Sequence, residues 1–240
     1  MFRHTGKNRT LVHNLKLASL LSFVAGVVNV SGYFAVHQLT TNVTGHFAFF
    51  ADELINKEYS SSLSYLAFIL SFFFGAFLSS FSVELVLAKH RNNIYLLPVS
   101  IEVCILGGIS CISSSTLQDF PTEIACMLLF AMGMQNALVT SISNSVVRTT
   151  HLTGLFTDLG IELSQLLFYK LPEQQSKLRS SIKLRFAIIS FFFFGCVIGG
   201  ISYTLFGVHT LLLAVICLVI SIVYDNIKFR FLSFKRKSHD

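Results

Sequence analysis

The sequence predicts an all-α integral membrane protein, with about six transmembrane helices forming two inverted three-helix repeats over residues 1–120 and 121–240. Each repeat is expected to carry a broken or re-entrant segment rich in Thr and Gly. Three observations predict this. Apolar residues gather in long blocks with the charges between them, Lys and Arg fall on alternate sides of those blocks, and one polar phrase occurs twice, half the chain apart.

The chain is 53% hydrophobic and 12% charged, with 25 Phe and no Trp. A soluble domain carries about 25% charged residues. The apolar blocks cover residues 15–36, 62–87, 94–114, 123–145, 184–204 and 206–226. Each is long enough to cross roughly 30 Å of hydrocarbon as a helix. A helix satisfies its own backbone polar groups, which lipid cannot do. Runs such as "LAFILSFFFGAFL" lack the alternation of a membrane β-barrel. Arg3, Lys7, Arg9 and Lys16 precede the first block as in a signal peptide, but the block is long and has no convincing small-residue cleavage site. It reads as an uncleaved first span. The cysteines Cys104, Cys111, Cys126, Cys196 and Cys217 form no C-x-x-C pair and read as small packing hydrophobes.

Orientation follows from Lys and Arg. With six spans, Lys57 stands alone on one side and the other seventeen lie opposite. Both termini are therefore expected in the cytoplasm. Making full spans of 42–57 and 150–169 would move Lys89 and Arg91 across and spoil the division, so those segments are expected to dip into the membrane or lie at its surface. The net charge of +6 sits beside spans. It suits orientation and anionic headgroups rather than nucleic acid.

The repeated phrase is "LTTNVTGHF" at 39–47 and "RTTHLTGLF" at 148–156, an offset of 109. A second echo, "FGAFLSS" at 74–80 and "FGCVIGG" at 194–200, has an offset of 120, and the polar loop "LPEQQSKLRSS" absorbs the difference. Three spans per half is odd, so the halves must be inverted. Inverted repeats are a mark of transporters, whose sites lie where broken helices of the two halves meet. Thr44 and Thr153, each followed by Gly and an apolar run, are the expected N-caps of such helices.

These residues resemble a known family. "AGVVNVSGYF" before "TTNVTGHF", then "FFFGAFLSS", then "GMQNALVT" before "RTTHLTGLFTDL" are similar to the YoaK family, small bacterial inner-membrane proteins grouped as a domain of unknown function. The resemblance runs from about residue 15 to 225 and implies six or so transmembrane helices and a bacterial inner membrane. It supplies no activity. Many members have Asp where this chain has Asn29, and the usual T-G-N ends here in His46. Loss of the Asp argues against proton coupling through a carboxylate there, and His46 would partly restore a titratable group.

Polar residues in apolar blocks are functional candidates. The expected solute pathway comprises Asn29, Tyr33, Thr41, Asn42, Thr44, Gly45 and His46 from the first half. The second half supplies Gln135, Asn136, Thr140, Thr150, His151, Thr153, Gly154, Asp158 and Glu162. Asn136, Thr140 and Asn144 recur every four residues and share a helix face. Asp158 and Glu162 do likewise and suit either a cation site or a solvated face. Glu84 suits a pair with Lys89 or Arg91, and Glu102 lies deep in a span. No catalytic motif, cofactor or metal site is expected. The expected function is a transporter or channel for a small polar or ionic solute. The alternative is a structural or regulatory membrane protein binding a partner or lipid, with an intramembrane enzyme a more distant third. Partners are the bilayer, the solute and a second copy of the chain.

Overall fold

The computed structural model describes residues 9–88 and 94–237, and no strand occurs among them. α1 (Leu11–Val36) opens on a capping box. The Thr10 side chain accepts from the His13 backbone N–H, and the His13 ring accepts from the Thr10 N–H. It stops at His37, whose φ of 54° is left-handed. α2 (Val43–Ile55), α3 (Tyr59–Ala88), α4 (Leu96–Ser110) and the short α5 (Ser114–Asp119) follow. α6 (Pro121–Ser143) begins on a proline, whose missing N–H has no helical partner to lose, and ends at left-handed Asn144. α7 (Leu152–Phe168), α8 (Pro172–Phe206) and α9 (Leu211–Lys237) complete the chain, with a 3₁₀ turn over Gly207–Thr210 between the last two.

Four stretches are long and apolar enough to cross a membrane: α1, α3, α6 and the 56-residue run Pro172–Ile227. The expected third span is the 15-residue α4. At about 1.5 Å per residue it is roughly 22 Å long, short of the hydrocarbon thickness. The expected fifth and sixth spans are the two arms of the final run, turned at Gly207, whose φ is 58°. The Thr/Gly segments are separate helices, α2 with 13 residues and α7 with 17, packed against α3 and α8. Lys89 and Arg91, the expected partners of Glu84, lie outside the described residues, as do Arg3 and Lys7.

Two helix crossings hold the bundle. Gly26 of α1 meets the backbone of Phe192 in α8, and Gly195 of α8 meets that of Phe23. Gly75 of α3 meets the backbone of Phe130 in α6, and Gly133 of α6 meets that of Phe72. A β-carbon at any of the four would collide with a carbonyl oxygen. Beyond the first crossing Gly200 lies beside Phe34, and the Phe34 ring lies 5.5 Å from Tyr203, so α1 and α8 run parallel. α3 and α6 also run parallel, from Ser71 beside Cys126 to Ser80 beside Thr140. α1 and α6 are antiparallel. Leu128 touches Gly32, and Gln135 Nε2 donates to Leu21 O at 2.9 Å. α4 and α9 are antiparallel too, with Tyr95 bonded to Asn226 and His209 Nδ1 2.6 Å from Ser110 O.

Burial separates an inner pair from an outer pair. α1 and α6 bury 56% and 61% of their apolar windows, whereas α3 buries only 28%. Phe73, Phe74, Phe77 and Phe81 of α3 and Phe193 and Phe194 of α8 are exposed. Outward-facing rings of this kind suit lipid, which is as apolar as they are.

Gly75→Val and Gly195→Val are each expected to destabilise the bundle by about 1–3 kcal/mol through overpacking. Gly107→Ala has nothing within 4 Å of the new carbon and should leave stability unchanged or slightly raised. Thermal unfolding of the detergent-solubilised variants measures both.

Candidate functional site

The first Thr/Gly phrase is tied down by α1. Asn29 Oδ1 accepts from Thr41 N at 3.2 Å and from Thr41 Oγ1 at 2.9 Å. Thr40 is fully buried with its methyl against Gly32. Asn42, not Thr44, is the N-cap of α2, and its Oδ1 accepts from Gly45 N at 3.1 Å. The expectation for Thr44 fails because two candidate caps stand two residues apart and the backbone leaves the helix at the earlier one. Thr44 itself is exposed. His46 is buried, with Nε2 2.9 Å from Leu39 O and its ring against Tyr65 and Phe68. Phe49 stacks on Tyr65 at 5.3 Å.

The second phrase starts the same way and ends differently. His151, at the position matching Asn42, is the N-cap of α7, again two residues before the expected Thr153. Its side chain makes no capping bond. The ring instead lies over Gly154, as the Asn42 amide lies over Gly45. Thr149 is fully buried, like its counterpart Thr40, and Thr150 is half-buried. The loop before α7 is held by Ser143, whose hydroxyl takes Val147 N at 3.0 Å.

Along α7 the expected carboxylates meet a cation of α8. Arg185 Nη1 donates to Asp158 Oδ2 at 2.8 Å. Its Nε and Nη2 donate to the two oxygens of Glu162 at 2.9 and 3.0 Å, and Ser181 Oγ adds a bond of 2.6 Å. Burial would raise the Glu162 carboxyl, but the bonds from Arg185 and Ser181 and the Arg185 charge hold it below its ordinary value. Arg185 stands 23 to 27 residues from its partners. In the sequence Arg185 is marked only by its charge and by its place just before "FAIISFFFFG".

A cavity of about 580 Å³ lies beside this cluster. Its walls include Asn14 of α1, Arg148 and His151 from the turn into α7, Gly154 and Asp158 of α7, and Arg185 of α8. A neighbouring hollow of about 390 Å³ shares Leu11 and Ser180 with it and adds Arg179 and Lys183. The stripe Asn136, Thr140 and Asn144 lines a separate shallow hollow of about 440 Å³ with Ala76 and Ser80 of α3.

The pathway residues therefore divide. His151, Gly154 and Asp158 share the cavity, and Glu162 braces it from behind. Asn136 and Thr140 share the α3–α6 hollow. Asn29, Thr41, Asn42, Gly45 and His46 form a packed seam. Gln135 spans the α1–α6 interface. The Tyr33 ring is exposed and lies near Phe34 and His37. Glu102 is 1% exposed, with Oε1 lacking a protein partner.

The model of a family described as "Protein of unknown function (DUF1275)" matches residues 17–224. The chain belongs to the DUF1275 family. A curated relative, UPF0700 transmembrane protein YoaK of Bacillus subtilis (strain 168), is 26% identical over 179 residues, covering 72% of this chain and 77% of the relative. No solved structure matches. With four long apolar stretches and a transmembrane relative, this DUF1275 chain is a membrane protein. The two Thr/Gly phrases and both crossings lie inside the matched region.

Arg185→Met is expected to free α7 from α8 and to cost about 1.5–3 kcal/mol, the usual scale for hydrogen bonds to charged groups. Asn29→Val, which leaves Thr41 N without its acceptor, should cost about 1–3 kcal/mol. Limited proteolysis separates the two, with the first change exposing the α7 region and the second the α1–α2 connection.

Proposed function

We propose that this is a non-catalytic membrane transporter or channel for a small polar or ionic solute, built as two inverted repeats in a bacterial inner membrane, with both termini cytoplasmic. The observation that carries the reading is the polar cavity under α7, set at one end of two matching crossings. A volume of about 580 Å³ is in the range of small-molecule sites, about 300–1,000 Å³.

The crossings support the repeat. Gly26 and Gly133 each precede a matching asparagine, Asn29 and Asn136, by three residues. Gly75 and Gly195 are the glycines of the second echo. Each half thus contributes its first helix to one crossing and its second helix to the other, α1 with α8 and α6 with α3. α2 and α7 then sit at opposite ends of the bundle. α2 adjoins the last turns of α1, and α7 adjoins the first turns, through Asn14. The Lys and Arg distribution puts the α7 end in the cytoplasm.

The two ends differ at matched positions. Where α7 and α8 place Asp158 and Arg185, α2 and α3 place Phe49 and Tyr65. In this reading the α7 end is lined by charged groups beside an open cavity, and the α2 end by rings packed around buried His46. That asymmetry is what one state of an alternating-access protein would have.

Cysteine labelling tests the reading. After removal of the five native cysteines, Thr153→Cys should react with a charged, membrane-impermeant reagent only from the cytoplasmic side, and Thr44→Cys only from the outside. Both residues reacting from one side, or neither reacting from either, would remove the inverted pathway.

A further inference from the structure

The cavity under α7 is rich in donors and poor in acceptors. Asp158 is the one carboxylate in its wall among the described residues, and Arg185 already holds it. Glu162 occupies another edge of the same guanidinium. Arg148 lines the cavity and forms no ion pair among the described residues. In the adjoining hollow, Arg179 and Lys183 face no carboxylate in the wall among the described residues. Even with Glu162 counted, cations outnumber carboxylates by two across the two hollows.

Two neutral features point the same way. Asn14 is only 8% exposed, yet it lines the cavity. Its Oδ1 accepts from Arg9 Nε at 2.7 Å, and its amide N–H groups make no hydrogen bond among the described residues. At the start of α7 the first backbone bond of the helix is Leu155 N to His151 O, and no side chain caps the N–H groups before it. The contrast with α2 is direct, since Gly45 N has the Asn42 carbonyl oxygen and Gly154 N has no such partner. A helix start carries partial positive charge and free donors, a combination that suits oxyanions. Here it opens beside a buried amide and an unpaired arginine.

We infer that the cavity binds a small oxyanion, a solute bearing a carboxylate or phosphate group, held by Arg148, the Asn14 amide and the first turn of α7. This rests on the transport reading and names the class of solute carried. The Arg185 cluster has a supporting role, because it fixes α7 against α8 with its own charges satisfied. Arg179 and Lys183 form an electropositive mouth that raises the local concentration of anions. A cation would meet the opposite conditions, with one engaged carboxylate and excess positive charge.

The full chain in detergent is titrated calorimetrically with succinate and with inorganic phosphate. Sodium chloride at matched ionic strength and tetramethylammonium chloride serve as comparisons. Saturable binding of at least one oxyanion, absent with chloride, is expected. Arg148→Gln should weaken it at least tenfold, and Arg148→Lys should weaken it less. Arg148 is exposed, so folding of these variants should be unaffected, and circular dichroism checks it. Lys57→Gln, in the loop between α2 and α3, should bind as the unaltered protein does. Binding of tetramethylammonium instead, no binding beyond chloride, or full binding by Arg148→Gln would overturn the inference. If side-specific labelling of Thr153→Cys persists while oxyanions fail to bind, only the solute class is lost. If labelling also fails, the transport reading is lost with it.

Discussion

Close backbone contact at Gly26, Gly195, Gly75 and Gly133 is the constraint on which the rest of the structure depends. Lipid gives apolar helices no reason to leave it for one another, so their association relies on close packing and hydrogen bonds. A residue without a β-carbon lets two backbones touch. That contact sets where α1 meets α8 and where α3 meets α6. It also fixes the level of the polar residues one turn away. Asn29 lies three residues past Gly26 and reaches the start of the first Thr/Gly phrase. Asn136 lies three residues past Gly133 and lines the α3–α6 hollow. Moving the crossing by one turn would shift each by about 5.4 Å.

The two short helices show how one backbone arrangement carries two kinds of lock. α2 is held by rings, with His46, Phe68, Tyr65 and Phe49 packed together. Such contacts depend on close fit, with His46 and Phe68 buried and Phe49 at the exposed edge. α7 is held by Arg185, with the Glu162 side chain 13% exposed and that of Asp158 50% exposed. Charged bonds that water can reach are open to competition from solvent and solutes. The α2 contacts are therefore largely apolar, and those of α7 are charged and within reach of water.

The same cations serve two purposes. As a count, Arg148, Arg179, Lys183 and Arg185 belong to the positive charge that the proposed orientation puts on the cytoplasmic side. As positions, they surround a cavity and its mouth. The start of α7 faces the stretch of α8 around Ser181 and Arg185, so these charges and the open turn of α7 border one cavity.

Much of the architecture was legible because it depends on local sequence. Apolar blocks located the long helices, and glycine at 207 and the left-handed positions 37 and 144 mark where helices stop. The phrases at 39–47 and 148–156 announced two matched helix starts, and chemistry alone could not choose between Asn42 and Thr44 as the cap. Pairings over long sequence distances were not legible. Arg185 with Asp158, Gln135 with Leu21 and Asn14 with His151 across one cavity all depend on where helices cross. By itself the sequence determined which segments are apolar enough to leave water and which connections between them gather charge, because composition responds directly to solvent. Tertiary structure alone decided which polar groups are packed into seams and which are left facing open space, because that depends on the approach of backbones at four glycines far apart in the chain.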